Sequence, residues 1–172
     1  DLGSRIATLL TQLDRVVVVD DGSHTAGPLR NVDDLIHVVE LDENKGIAFA
    51  LNAGIDQARE LGATHLVTLD QDSELPPGYV GDAMHLLDRL DDRGMRVAAI
   101  VPERFGSTRV VTSQEGVPLD PIQSGQLIPL RLFDEIGGFA EELFIDSVDT
   151  EFTLRARAAG YEFHILNGST LD

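Results

Sequence analysis

The chain contains no cysteine. That excludes a disulfide framework and a thiolate metal site, so any metal must sit on oxygen or imidazole. Cations are scarce: 13 Lys and Arg stand against 30 Asp and Glu, a formal net charge of -17. Nucleic-acid binding and broad adhesion to anionic lipid both rest on Lys and Arg, so neither is expected. Five arginines do fall close together, Arg89, Arg93, Arg96, Arg104 and Arg109. They read as a solvated helix end and loop, or as a local site for a phosphate-bearing acceptor. No apolar run approaches the length of a membrane span, and the first residues do not resemble a signal peptide, so a soluble, cytoplasmic protein is expected. Repeats and low-complexity linkers are absent. His24, His37, His65 and His85 carry no metal spacing. His164, inside the apolar Phe163 to Leu166 run, reads as a structural histidine.

With 172 residues, 42% of them hydrophobic, the chain is long enough for one well-buried domain and too short for two. Leu2 to Leu13 reads as an amphipathic helix, and Val16 to Val19 as a buried strand running into the turn sequence Asp20-Asp21-Gly22-Ser23. Ile36 to Leu41 is a second strand. Gly46 to Leu61 has a helical apolar period and stops at Gly62. His65 to Leu69 is a third strand, Tyr79 to Leu90 a helix, and Val97 to Val101 a fourth strand halted by Pro102. Residues 103–122 hold no clear period and read as loops with room for a short strand. Arg131 to Ile136 and Asp149 to Ala159 read as helices, each closed by glycine, and Glu162 to Leu166 as a last strand. Strands alternating with helices of this length imply an α/β fold with a mainly parallel central sheet flanked by helices. Such a sheet usually opens with a strand. This chain opens with a helix, so a first strand is expected to be missing.

The most informative stretch is His65 to Ser73, an apolar run ending in Asp70-Gln71-Asp72. Its last residues should emerge at the carboxyl edge of the sheet, where open α/β sheets bind ligands. Asp33-Asp34 and Asp91-Asp92 show that neighbouring acids also arise by chance in so acidic a chain. Asp70 and Asp72 differ in following a β-rich run and preceding the Pro76-Pro77 turn. The chemistry that suits them is a divalent cation, Mg2+ or Mn2+, which binds through one or two carboxylates plus substrate phosphates. An EF-hand is excluded, because the sixth position counted from Asp70 holds Leu75 and the twelfth holds Gly81.

Asp70-Gln71-Asp72 belongs to a larger constellation. Val18-Val19-Asp20-Asp21-Gly22-Ser23 ends one strand, and Asn44-Lys45-Gly46-Ile47-Ala48-Phe49-Ala50-Leu51-Asn52-Ala53-Gly54 opens a helix. Leu69-Asp70-Gln71-Asp72-Ser73, Ser124-Gly125 and Phe144-Ile145-Asp146-Ser147-Val148-Asp149-Thr150-Glu151-Phe152 follow. In this order and spacing the segments resemble family 2 glycosyltransferases of the GT-A fold. Within that family they look most like bacterial rhamnosyltransferases, which use dTDP-rhamnose to build cell-surface polysaccharide.

The resemblance covers nearly the whole chain and implies one GT-A domain over 1–172, truncated at both ends, with a nucleotide-binding half at 1–101 and an acceptor-binding half at 102–172. It gives Asp20 a hydrogen bond from N3–H of the pyrimidine, against the plainer reading of a turn-forming Asp. Ser23, Asn44 and Gly46 would line the nucleotide, Asn44 and Gly46 being readable as a plain helix cap as well. Asp70 would lie near ribose and metal, and Asp72 would ligate the metal. Asp149, six residues before Arg155, would be the catalytic base. Asp146 is either an N-cap or a contact to acceptor or sugar hydroxyls. Ser124, Gly125 and Gly138 would line the sugar pocket, or serve turn chemistry. Asn52 would hold strand-end loops without being catalytic. The implied reaction is inverting transfer to a saccharide acceptor, which, if polyprenyl-linked, would draw the protein to the inner face of the plasma membrane. Two features depart from the family pattern. The first strand with its base-contacting end is absent, and so is a late metal-ligating His.

Three rival readings remain at this point. UDP-galactofuranose, UDP-glucose or UDP-N-acetylglucosamine could replace dTDP-rhamnose as donor. A haloacid-dehalogenase-like phosphohydrolase also carries Asp-x-Asp after a strand, but needs a downstream Lys, and the only Lys is Lys45. The third is a non-catalytic nucleotide-sugar-binding domain.

Overall fold

The computed structural model describes residues 2–30 and 32–172. After helix α1 (Leu2–Leu9), strands β1 (Val16–Asp20) and β2 (Ile36–Glu40) pair in parallel, from Val16 opposite Ile36 to Asp20 opposite Glu40. Helix α2 (Ile47–Glu60) leads to β3 (His65–Val67), and α3 (Tyr79–Asp91) to β4 (Val97–Phe105). Then come β5 (Thr108–Arg109), β6 (Leu127–Pro129), α4 (Arg131–Ile136), α5 (Val148–Ala158) and β7 (Glu162–Leu171).

The larger sheet is mixed. Strand β6 lies antiparallel between β3 and β4, while β7 runs parallel to β4 from Val97 opposite Glu162 to Phe105 opposite Leu171. The parallel component is therefore as expected, and the antiparallel β6 is a strand that the sequence reading did not contain. A three-residue strand is too short to show a period of two. Strand β4 also runs past Pro102 to Phe105, and the register with β7 shifts between Pro102 and Arg104. A strand tolerates a residue without an N–H where its ladder is already interrupted. Helix α1 ends at Leu9, four residues before the expected Leu13.

Strand β4 is apolar on both faces and fully buried from Val97 to Val101, as a central strand covered on two sides must be. On one side, Ala48, Ile55 and Ala58 of α2 and Val148, Phe152 and Ala156 of α5 pack on Ala99, Val101 and Ile128. Phe133, Phe139 and Phe152 stack within this layer, with ring centroids 4.5–5.9 Å apart. On the other side, Tyr79, Ala83, Leu87 and Leu90 of α3 cover Val97, Ile100 and Leu127. Among the described residues β1 and β3 each pair along one edge only. Helix α2 serves both sheets: Gly54 lies on Val19 of β1, and Ile55 and Ala58 belong to the layer over Leu66 and Ile128. The carboxyl ends of β1 and β3 carry the residues considered next.

Candidate active site

Asp20 ends β1 with only 6% of its surface exposed. Its Oδ1 accepts hydrogen bonds from Ser23 N (2.8 Å) and Ser23 Oγ (2.6 Å), and its Oδ2 from Thr25 N (2.7 Å) and Ala26 N (2.9 Å). A carboxylate has about four lone-pair sites, so the turn fills this one. The Ser23 hydroxyl and the Ala26 N–H hold the Asp20 carboxyl far below the usual carboxylate range. In this geometry Asp20 shapes the loop that follows β1 and has no acceptor position left for a base N–H. Ser23, exposed, is committed to Asp20 and to the Thr25 hydroxyl at 2.7 Å.

Asp21 does what its position in the motif did not disclose. Its two oxygens take the N–H groups of Lys45 (2.7 Å) and Gly46 (3.0 Å), clamping the turn into α2. Asn44 Oδ1 accepts from the same Gly46 N–H at 3.1 Å. This is a side-chain turn ahead of the helix; Gly46 occupies the N-cap position without any side-chain cap. Gly46 has φ +89°, and a Cβ there would collide with the carbonyl and ring of Phe144. Ile47 N donates to that Phe144 carbonyl at 2.8 Å, so the segment before α5 is seated on the start of α2. Phe144 and Ser147 hold positive φ values of 20° and 66°, strain that lies in the loop leading to Asp149.

The Asp70 loop is braced by the segment before β6. Thr68 Oγ1 donates to the Gln123 carbonyl, Gly125 N donates to Thr68 O (2.7 Å), and Asp70 N donates to Ser124 Oγ (3.2 Å). Ser73 and Ser124 share a hydroxyl contact of 2.8 Å. Gln123 Nε2 donates to Asp70 Oδ1 at 2.5 Å. Burial raises the Asp70 carboxyl, the Gln123 bond opposes that, and neighbouring Asp72 adds to it. Asp72 is exposed, and its side chain makes no hydrogen bond or ion pair among the described residues.

Asp149, on the first turn of α5, is brought to the same place. Its carboxyl is pushed up to about 6, first by burial and then by the charges of Asp70 and Asp120, against a lowering contact from the Gln123 backbone. Asp120 is held to α5 by Thr150 Oγ1 at 3.0 Å. A half-buried carboxyl poised near neutrality beside further acids is a recurrent acid–base arrangement. The same oxygens suit a hard cation. Asp70 Oδ2 and both Asp72 oxygens have no protein donor among the described residues, and no group of three or more His, Asp or Glu forms a complete cage. The unpartnered oxygens of Asp70 and Asp72 are of the kind that share a hard cation with substrate phosphates and water.

The other expected pocket residues have structural duties. Ser124 is fully buried. Gly125, with φ +78°, sits where a Cβ would press on Leu171 and Pro102, and its carbonyl accepts Tyr79 Oη at 2.6 Å. A side chain at Gly138 would collide with Asn52. Asn52 exchanges two hydrogen bonds with the Phe139 backbone, at 2.8 and 2.9 Å, so the loop it holds follows α4. Arg155 closes that loop from the other side, donating to the carbonyls of Ile136 and Gly138 and pairing with Glu151 at 2.6 Å. Asp146 is exposed, and the N-cap of α5 falls one residue later, on Ser147, with no side-chain cap bond. His164 lies 3.3 Å from Glu162, away from the acids of the site. Of the clustered arginines, Arg96 pairs with Glu135 and stacks on Tyr161, and Arg109 pairs with Glu103.

Sequence reasoning missed Gln123, Asp120 and the loop-holding parts of Asp21, Phe144 and Arg155. The signal for Gln123 was the placing of two glutamines, Gln123 and Gln126, close before the apolar Leu127-Ile128, in a stretch from Pro121 to Leu130 where every residue but Ile122 is buried.

The architecture recurs in solved structures that cover 99% of this chain. GalNAc-T7 with UDP, GalNAc and Mn2+ superposes with a TM-score of 0.78 at 15% identity, over 40% of that chain. S. aureus TarS 1-349 with UDP-GlcNAc gives 0.70 at 21%, over 53% of that chain. The mannosyltransferase PcManGT of Pyrobaculum calidifontis, with GDP-Man and Mn2+, gives 0.69 at 18%, over 52%. These identities establish the fold alone, and the fold is GT-A, that of nucleotide-diphospho-sugar transferases. The model of glycosyl transferase family 2 matches residues 1–140, and the chain belongs to that family. It is also 30% identical over 185 aligned positions to the dTDP-rhamnosyl transferase RfbF of Shigella flexneri, across 96% of this chain and 62% of that protein. The chain thus spans less than two thirds of that relative's length.

Proposed function

We propose that this domain transfers a sugar from a nucleotide diphosphate to a saccharide acceptor with inversion, and that the donor is dTDP-rhamnose. The observation that carries the reading is Asp149, whose carboxyl is held at about 6 next to Asp70 at the sheet edge. As base, Asp149 takes the proton of an acceptor hydroxyl while that oxygen attacks the anomeric carbon from the face opposite the diphosphate. The new glycosidic bond forms as the bond to the diphosphate breaks, hence inversion. Asp70 and Asp72 would hold Mg2+ or Mn2+, which when bound stabilises the charge developing on the leaving diphosphate. Donor binding falls to residues 1–101 and acceptor binding to 102–172, with Asp20, Ser23, Asn44 and Gly46 shaping the nucleotide side. Asp146, exposed before α5, is left free to meet the acceptor.

The likeness to a dTDP-rhamnosyl transferase supports rhamnose over the UDP-sugars bound by some fold neighbours. The phosphohydrolase reading loses ground to the family 2 match over residues 1–140 and to the lack of any Lys downstream of Asp70. None of the described helices is long and apolar enough to cross a membrane. A polyprenyl-linked acceptor would bring the protein to the cytoplasmic membrane face, in the service of cell-surface polysaccharide.

The test is calorimetry of the full-length protein with dTDP-rhamnose, UDP-galactofuranose, UDP-glucose and UDP-N-acetylglucosamine in Mn2+, joined to turnover of Asp149→Asn. Selective uptake of dTDP-rhamnose is expected, together with a loss of turnover of about 10²–10⁴-fold in the variant, with donor binding kept. Preference for a UDP-sugar would replace the donor, and an active Asp149→Asn would remove Asp149 as base. Chelation of divalent cations should abolish turnover reversibly.

A further inference from the structure

We propose that Gln123 is a positioning residue: its side-chain amide sets the orientation of the Asp70 carboxylate and keeps the donor side of the site in register with Asp149. The inference rests on the transferase reading and adds to it a residue that no motif singled out.

Gln123 is only 5% exposed and touches both halves of the site. Its Nε2 donates to Asp70 Oδ1 at 2.5 Å, its carbonyl receives the Thr68 hydroxyl, and its backbone lies against the Asp149 carboxyl. The next residue, Ser124, takes the Asp70 N–H and faces Ser73, so one dipeptide grips the loop on both sides of Asp70. Asp70, Asp72 and Asp149 carry like charges, which tend to swing Asp70 away from the other two. An amide resists that swing without adding charge. A Lys or Arg would hold Asp70 as firmly but would neutralise the oxygens a cation needs. With one lone pair of Oδ1 engaged by Gln123, Oδ2 is the less encumbered oxygen to face the donor.

The other end of the amide gives a second, independent argument. Gln123 Oε1 is buried and has no hydrogen-bond partner among the described residues. Flipping the amide would set that oxygen against the Asp70 carboxylate and strand the N–H₂ instead, so the hydrogen-bond network itself fixes the orientation. For folding, an apolar side chain of similar volume would remove the unpaired acceptor but leave Asp70 Oδ1 without its donor, so the two effects oppose each other. What the amide supplies is the hold on Asp70.

The experiment uses the full-length protein and two variants, Gln123→Met and Gln123→Asn. Methionine keeps the volume and removes the donor; asparagine keeps the amide on a stem one methylene too short to reach. Unfolding midpoints are measured without ligand, uptake of Mn2+ with dTDP is followed by calorimetry, and kcat and KM are taken with donor and acceptor. In both variants the Mn2+–dTDP affinity should fall by about tenfold or more, as for other residues that orient a metal ligand. The kcat should fall with it, the acceptor KM should stay, and Gln123→Met should melt close to the parent, the lost Asp70 contact being offset by removal of the unpaired Oε1. Mn2+–dTDP affinity and kcat equal to the parent's in whichever variant folds would overturn the proposal. So would a lower melting point accompanied by unchanged affinity, the mark of a purely structural residue. Were the parent itself not to take up Mn2+ with dTDP, the proposed donor and metal would fall and this inference with them. Parental binding with unaffected variants removes the inference alone.

Discussion

The Asp149 carboxyl stands at about 6 against an ordinary 3.8, because burial withdraws water from its charge and Asp70 and Asp120 repel it. Between those two values the folded protein binds a proton that the unfolded chain has released, so this group's contribution to stability falls as pH rises through the interval. At neutral pH the cost is about 1–3 kcal/mol. We therefore expect Asp149→Asn, free of divalent cation, to be more stable than the parent by about that amount at pH 7. The gain should shrink as pH is lowered through 6 toward 4, as urea melts at several pH values will reveal. Turnover has the opposite dependence, since only the ionised base accepts a proton: kcat should climb with pH to a plateau, with its midpoint below about 6 because a cation on Asp70 and Asp72 would favour the ionised Asp149. Asp20 shifts the other way. Held low by the Ser23 hydroxyl and the Ala26 N–H, it stabilises the loop after β1 at all pH values above the ordinary carboxylate range, and that support is lost only as pH falls well below it.

At the scale of elements, the site depends on three joints between segments far apart in the chain. Asp21 fixes the entry to α2, Phe144 seats the approach to α5 on Gly46, and Asn52 with Arg155 pins the loop after α4. The middle joint is the one a single methyl group would break. Gly46→Ala sets a Cβ against the Phe144 carbonyl at φ +89°. It should cost roughly 1–3 kcal/mol in urea unfolding, the range for a strained residue held in a disfavoured region. Because Phe144 leads directly to Asp149, the same variant should lose kcat while its far-UV circular dichroism keeps the parental shape. A variant with normal stability and turnover would mean that the two loops are not coupled. The joint was invisible in the sequence for a simple reason: Gly46 fits a helix entry equally well, and only the fold brings Phe144 against it.

For the molecule as a whole, the dominant electrostatic fact is the net charge of -17. Self-repulsion of that size opposes compactness, and the cross-element ion pairs, such as Arg59 with Asp134 and Arg131 with Asp91, are exposed enough to be weak compensation. Moderate NaCl should therefore raise the melting temperature by screening repulsion, whereas a protein stabilised mainly by surface pairs would melt lower. Much of this molecule was written in its residues. The alternation of strand and helix, the doubly apolar β4, and the acids at the ends of β1 and β3 follow from local periodicity and composition, which neighbouring residues are enough to set. The short antiparallel β6, the extension of β4 past Pro102, the filling of Asp20's lone pairs by its own turn and the hold of Gln123 on Asp70 do not. Each depends on contacts between segments tens of residues apart, or on whether a carboxylate's acceptor positions are already taken. Composition and spacing leave those matters open; packing decides them, because burial makes every polar atom find a partner or go without one.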